Sequence, residues 1–175
     1  MLKPIKRRKN RTNLIIAISA GILMILSVIG FALNLTQQKE KNEKEFKVNI
    51  YGKEIVVKLI YFENETNDVL LNYNPNINDF LNKKIYFYSH PKIRENSQRL
   101  LYYISIFSLI KETCVIGYEC FNNELPIKDC NNEIIIFEYS NETKIDKNDK
   151  CIIIKGNETN IDKTIDAFLY KIFKK

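Results

Sequence analysis

The side chains in this 175-residue chain that can do chemistry are four cysteines, one histidine and a scatter of carboxylates. Cys114, Cys120, Cys130 and Cys151 all fall in the C-terminal half. A zinc site needs close pairs such as C-x2-C, so that two thiolates reach one tetrahedral ion. Here the gaps are 5, 9 and 20 residues and His90 is the single histidine, so neither a metal nor a cofactor is expected. A C-x5-C spacing is also not the C-x-x-C of thiol oxidoreductases. Four cysteines in an extracytoplasmic domain read instead as two disulfides. Three pairings are possible, and proximity in sequence favours Cys114–Cys120 with Cys130–Cys151. Closing a loop of about 20 residues is worth roughly 3 kcal/mol in the chain-entropy view.

Nucleophilic and acid–base chemistry has less to stand on. The chain contains no G-x-S-x-G elbow, P-loop, G-x-G-x-x-G or H-E-x-x-H. Ser89 and His90 are adjacent, but adjacency does not create triad geometry, and His90 before Pro91 reads as a turn residue. Glu119 and Asp129 share the cysteine-bearing segment, where irregular backbone is suited to forming a pocket. A carboxylate pair runs acid–base hydrolysis only at defined separations, which a sequence does not give. No catalytic residue is assigned, and an enzyme is the less favoured reading. The alternative it leaves is a membrane-tethered hydrolase or thiol oxidoreductase centred on the 114–130 loop.

The charge pattern places these residues relative to a bilayer. The formal charge is +6, yet Lys3, Lys6, Arg7, Arg8, Lys9 and Arg11 carry all of it; from residue 12 onward 21 basic side chains face 21 acidic ones. A nucleic-acid binder carries its positive footprint on the folded domain, so nucleic acid is not an expected partner. Residues 14–33 run without a charge, broken by Ser19, Gly21, Ser27 and Gly30. Twenty helical residues at about 1.5 Å each cross a hydrocarbon core of roughly 30 Å. The expected organisation is a basic cytoplasmic tail over 1–12, a transmembrane signal anchor over 13–35, a charged stalk over 36–45 and an extracytoplasmic domain over 46–175. Positive charge before the span sets that orientation. Cleavage after Ala32 as a signal peptide is the competing reading; the apolar stretch exceeds the usual 7–15 residues or so of an h-region. Ala17 and Gly21 form a small-xxx-small pair able to seat a second helix. A pilin-like subunit is disfavoured, since Asn10-Arg11-Thr12-Asn13 lacks the glycine of the processing site. Asn64, Asn141 and Asn157 each open an Asn-Glu-Thr sequon and are candidate glycosylation sites on that side; a further sequon starts at Asn34.

The elements that must position these residues follow from periodicity. Phe46, Val48 and Ile50 alternate, Tyr51-Gly52-Lys53 turns, and 55–62 is β-branched and aromatic, which predicts a hairpin. Residues 63–82 read as loop and 84–89 as a strand. Pro91 suits a first helical turn, and Leu100, Tyr103, Ile104, Phe107 and Ile110 predict a helix over 92–111. The cysteine segment 113–132 reads as loop and 133–139 and 151–155 as strands around a polar turn. Thr159 with Asp162 resembles a capping box opening a C-terminal amphipathic helix. The order β-β-β-α-β-β-α predicts an α/β (α+β) domain with a roughly five-stranded mixed sheet and two packed helices.

This layout includes Tyr-Gly-Lys-Glu at the hairpin turn, Pro126-Ile127-Lys128-Asp129-Cys130, Cys151-Ile152-Ile153-Ile154-Lys155-Gly156 and Asp166-Ala167-Phe168-Leu169-Tyr170. It resembles a family of small, single-pass, membrane-anchored archaeal proteins with no assigned function. The resemblance implies an archaeal envelope setting and supplies no catalytic residue. The expectation is an anchored binding or scaffolding module of an envelope complex, with the lipid bilayer and other membrane or envelope proteins as partners.

Overall fold

The computed structural model describes Met24, residues 44–50 and residues 52–174. The basic tail, the 13–35 anchor, the Ala32 cleavage point, Ala17, Gly21, Asn34 and most of the stalk lie outside the described residues. Among those described, no helix is long and apolar enough to cross a membrane.

The chain from Lys44 onward is α+β. Its strands are β1 (Lys44–Ile50), β2 (Lys53–Leu59), β3 (Leu70–Leu71), β4 (Lys84–Ser89), β5 (Leu109–Glu112), β6 (Cys114–Val115), β7 (Ile127–Lys128), β8 (Ile134–Tyr139), β9 (Lys144–Asn148) and β10 (Cys151–Gly156). Two helices accompany them, α1 (Arg94–Ser105) and α2 (Ile161–Phe173). The main sheet has six strands in the order β3-β9-β10-β8-β4-β5. It is mixed: β5, β4, β8 and β10 run parallel, β9 is antiparallel to β10, and β3 runs parallel to β9.

The mixed sheet and two helices match the sequence expectation, and the differences have physical causes. The predicted hairpin forms, with Gly52 at φ +77° in its turn, but β1 and β2 make a separate two-stranded sheet. It buries Ile50, Val57 and Leu59 in the core shared with both helices. β1 begins at Lys44, inside the segment expected to be stalk. The helix expected over 92–111 ends at Ser105, because residues 109–112 pair in parallel with β4 and close a β4-α1-β5 unit. β9, expected to be a polar turn, has one buried apolar side chain, Ile145, which sits opposite Ile154.

β8 and β10 are near-continuous isoleucine runs because both faces of the sheet are covered. Ile135, Phe137, Ile152 and Ile154 join the helix-side core, whereas Ile134, Ile136 and Cys151 face a smaller core with Tyr88 and Val115. On the helix side, α2 is buried nearly all round: Thr164 Oγ1 donates to the Lys155 carbonyl at 3.0 Å, while Tyr170 stacks on Phe46 at 5.7 Å. Asp166, fully buried, accepts from the backbone N–H groups of Ile60 and Tyr61 at 2.8 Å each and pairs with Arg99. This polar bolt joins both helices to the end of the hairpin.

The capping box expected from Thr159 and Asp162 does not form. Asn157 Oδ1 accepts from Thr159 N and Oγ1 at 3.0 and 2.7 Å, and Asp162 turns instead to Arg99 and Asn96.

Candidate functional site

The second face of the sheet is covered by the segment 113–132, which carries most of the residues singled out for chemistry. Its two short strands pair in parallel, Cys114 with Ile127 and Val115 with Lys128. The buried Thr113 hydroxyl donates to the Pro126 carbonyl at 2.5 Å and ties the two limbs together. Gly117 takes φ +90°, a conformation costly for any residue with a Cβ. Tyr118 then lies on Tyr88, ring centres 5.2 Å apart, and donates to Glu138 Oε2 at 3.0 Å. Burial and the Glu138 carboxylate push its phenol well above the ordinary value.

The cysteines pair as sequence proximity favours, Cys114 with Cys120 and Cys130 with Cys151, at Cα separations of 5.3 and 5.0 Å. The first bond closes the turn after β6 at the start of the loop, and the second staples its far end to the start of β10. Cys114 is 3% exposed, so an incoming thiolate would have to attack at Cys120.

Ser89 and His90 do not assemble as nucleophile and base. His90 Nδ1 accepts from Lys92 N at 3.3 Å, capping the 3-10 turn Pro91–Ile93, and its ring stacks on Tyr139 at 5.2 Å and meets the edge of Phe121 at 5.7 Å. Ser89, the last residue of β4, is 5% exposed and its hydroxyl has no partner among the described residues. It lines a cavity of about 50 Å3 with Arg94, Glu112, Thr113, Cys114 and Phe121. That space fits a few waters or a very small polar ligand. Arg94 and Glu112 hold each other at 2.7 Å at its rim.

The carboxylates are also divided. Asp129 accepts from Asn131 N and Nδ2 and from Asn132 Nδ2, and the Asn131 side chain holds it below the usual carboxylate range. Glu119 is exposed and lies near Tyr88, whose phenol burial and that charge both raise. Among the described residues, no three His, Cys, Asp or Glu side chains are placed to share a metal ion.

No protein family, curated protein or solved structure matches the chain. The site therefore has to be read from its own geometry. What that geometry presents is apolar surface: Ile116 is 67%, Phe121 47% and Ile127 68% exposed, all on the loop. Sequence reasoning did not single these out, since exposed and buried isoleucines look alike until the loop's pairing is known. Asn64 lies in a 3-10 helix, Glu63–Thr66, and Asn141 and Asn157 lie in connections beside β8 and β10. Asn64 and Asn141 are exposed, and Asn157 is half-buried with its Nδ2 3.4 Å from Asn141 Oδ1.

Proposed function

We propose that this chain is a membrane-anchored extracytoplasmic module that binds another envelope protein through its disulfide-stapled loop. One observation carries the reading: a loop fixed near its start and at its far end by two disulfides holds three large apolar side chains out to solvent. Isolated exposed hydrophobes are ordinary. Three on one covalently restrained segment are different, because ordering the loop before binding removes much of the entropy cost of docking, and buried apolar anchors at such positions supply most interface energy. The apolar run at 14–33 would hold the domain at the bilayer, and the disulfides require an oxidising compartment.

The test places a photo-crosslinking residue at Ile116, Ile127 or Val56 in the full chain, in its native membranes. The expected result is one discrete adduct from the two loop positions and none from Val56, an exposed position on the hairpin. Absence of adducts from the loop, or equal adducts from Val56, would sink the reading. Protease added to intact cells tests the topology separately; it should remove the domain and leave the N-terminal tail.

A further inference from the structure

Many cations in this domain have carboxylates. Lys83 meets Glu133, Arg94 meets Glu112, Lys144 meets Asp146, Lys155 meets Glu138 and Lys163 meets Asp68. Lys53, Lys92, Lys147, Lys150 and Lys171 make no ion pair among the described residues, and neither do three lysines that lie together. These three, Lys84, Lys111 and Lys128, come together around one aromatic ring. Lys84 Nζ lies 4.8 Å and Lys128 Nζ 5.1 Å from the centre of Tyr86. Lys111 is the cross-strand partner of Tyr86 in the parallel β4–β5 register.

The register explains the convergence. Lys84 and Tyr86 of β4, with their partners Leu109 and Lys111 of β5, form a grid on the sheet face opposite the helices, at the β5 edge. On the same face, Ile134 of β8 pairs with Tyr86 and is covered by the cysteine loop. The loop stops short of the edge and contributes Lys128 from β7. The Tyr86 ring is thus a floor with ammonium groups from three segments around it, and its phenol is held below the ordinary value by the Lys84 hydrogen bond and by the charges of Lys128 and Lys111.

Gathering three like charges without a counter-ion costs electrostatic energy that an anion recovers. Lysine ammonium groups and a phenol O–H are all donors able to converge on one oxyanion. We propose that Lys84, Lys111, Lys128 and Tyr86 form a binding site for a phosphate-type oxyanion. The loop contributes Lys128, but neither the anchor nor docking through the loop's apolar side chains enters this argument, so the site stands or falls separately from the function proposed above. Free phosphate compounds and lipid headgroups share this chemistry, and the experiment distinguishes them.

The test uses the full chain in a non-ionic detergent and follows tyrosinate absorbance while pyrophosphate, inorganic phosphate or chloride is added at matched ionic strength; Tyr86→Phe identifies the signal. A bound oxyanion neutralises the lysines, so the Tyr86 titration should move upward. Pyrophosphate should act at concentrations at least about tenfold below chloride, the span of roughly 1.4 kcal/mol. Substituting Lys84, Lys111 and Lys128 by Gln together should abolish the shift with circular dichroism unchanged. If that variant is misfolded, Lys111→Gln alone should weaken it. A second arm places the chain in phosphatidylcholine discs with and without phosphatidic acid: a shift in the acidic discs without added phosphate assigns the lipid as a source. If chloride matches pyrophosphate, the effect is screening and the site is refuted. It is equally refuted if neither free phosphates nor acidic discs move Tyr86.

Discussion

The buried Asp166–Arg99 pair permits a quantitative test of what holds the hairpin to the helices. The two Asp166 oxygens have different duties: Oδ2 accepts both backbone N–H groups, from Ile60 and Tyr61, while Oδ1 meets Arg99. Arg99 retains a second partner, Asp162, at 3.2 Å. Asp166→Ala leaves two N–H groups and part of a guanidinium without acceptors in a closed core. Breaking such a pair from one side costs about 3–5 kcal/mol. Asp166→Asn is smaller surgery. Its amide oxygen can take the place of Oδ2 and keep both N–H groups, so only the charge-assisted bond to Arg99 is lost, about 1–3 kcal/mol.

The assay is urea unfolding of the full chain with disulfides intact, followed by far-ultraviolet circular dichroism, because the chain has no tryptophan. The expected order of stability is wild type, then Asn, then Ala. Equal costs for Ala and Asn would show that the backbone N–H groups draw nothing from the carboxylate. An Ala cost below about 1 kcal/mol would refute the bolt altogether.

The pH dependence has a definite sign. Burial raises the Asp166 carboxyl above its ordinary value of 3.8, with Arg99 and the two N–H groups opposing the shift. Between that value and the raised folded one, the native state holds the proton that the unfolded chain has released. This group's contribution is therefore largest at low pH and falls as pH rises through that window, levelling above it. The advantage of wild type over Asp166→Asn should narrow across the same interval.

Three further outcomes follow from the geometry. Removing both cysteines of the Cys130–Cys151 bond should cost about 3 kcal/mol and removing both of Cys114–Cys120 about 2 kcal/mol in the chain-entropy model, from sequence separations of 21 and 6; the reverse order by urea unfolding would count against it. A Cβ on Gly156 would sit 2.7 Å from Ile161 Cα and 2.8 Å from Asn160 Oδ1, so Gly156→Ala should cost about 2 kcal/mol or more, and an unchanged midpoint would mean that the β10–α2 junction moves freely. Because Asn157 Nδ2 faces Asn141 Oδ1 at 3.4 Å, glycopeptide mass spectrometry from a glycosylating host should find a glycan on one of the two and not both; doubly occupied molecules would show that the turn opens.

The legible parts of this fold were those decided locally. Residues 134–139 and 151–156 are apolar runs bounded by turn residues, and they are the central strands. The cysteine pairing followed from separation along the chain. β5 was hidden because Phe107 and Ile110 continue the helical spacing of Tyr103 and Ile104; Ile110 enters the same core from a strand instead. β9 was hidden because a strand at this position needs one buried residue, Ile145, and its other side chains are polar. Alternation established the hairpin without saying which surface it would cover. The Ser89 cavity and the Tyr86 lysines were out of reach for one reason: each is assembled from segments separated by intervening elements, and only the β4–β5 register and the folding back of the loop bring them together.

In the reading proposed above, stability and binding fall on opposite faces of one sheet. The helix side is sealed by α2, which has few exposed positions left, and by a carboxylate whose removal disrupts the core. The loop side is covered by some twenty residues that hold few strand bonds of their own and depend on two disulfides and the Tyr118–Tyr88 contact. The outward side chains of such a cover support nothing beneath them. Ile116→Ser and Ile127→Ser should therefore alter stability by no more than about 0.5 kcal/mol, as surface changes do, while removing the crosslinked adduct at the loop. If either substitution instead destabilised the domain by 2 kcal/mol or so, on the scale of a buried side chain, that isoleucine would be part of the core and the docking reading would lose the observation it rests on.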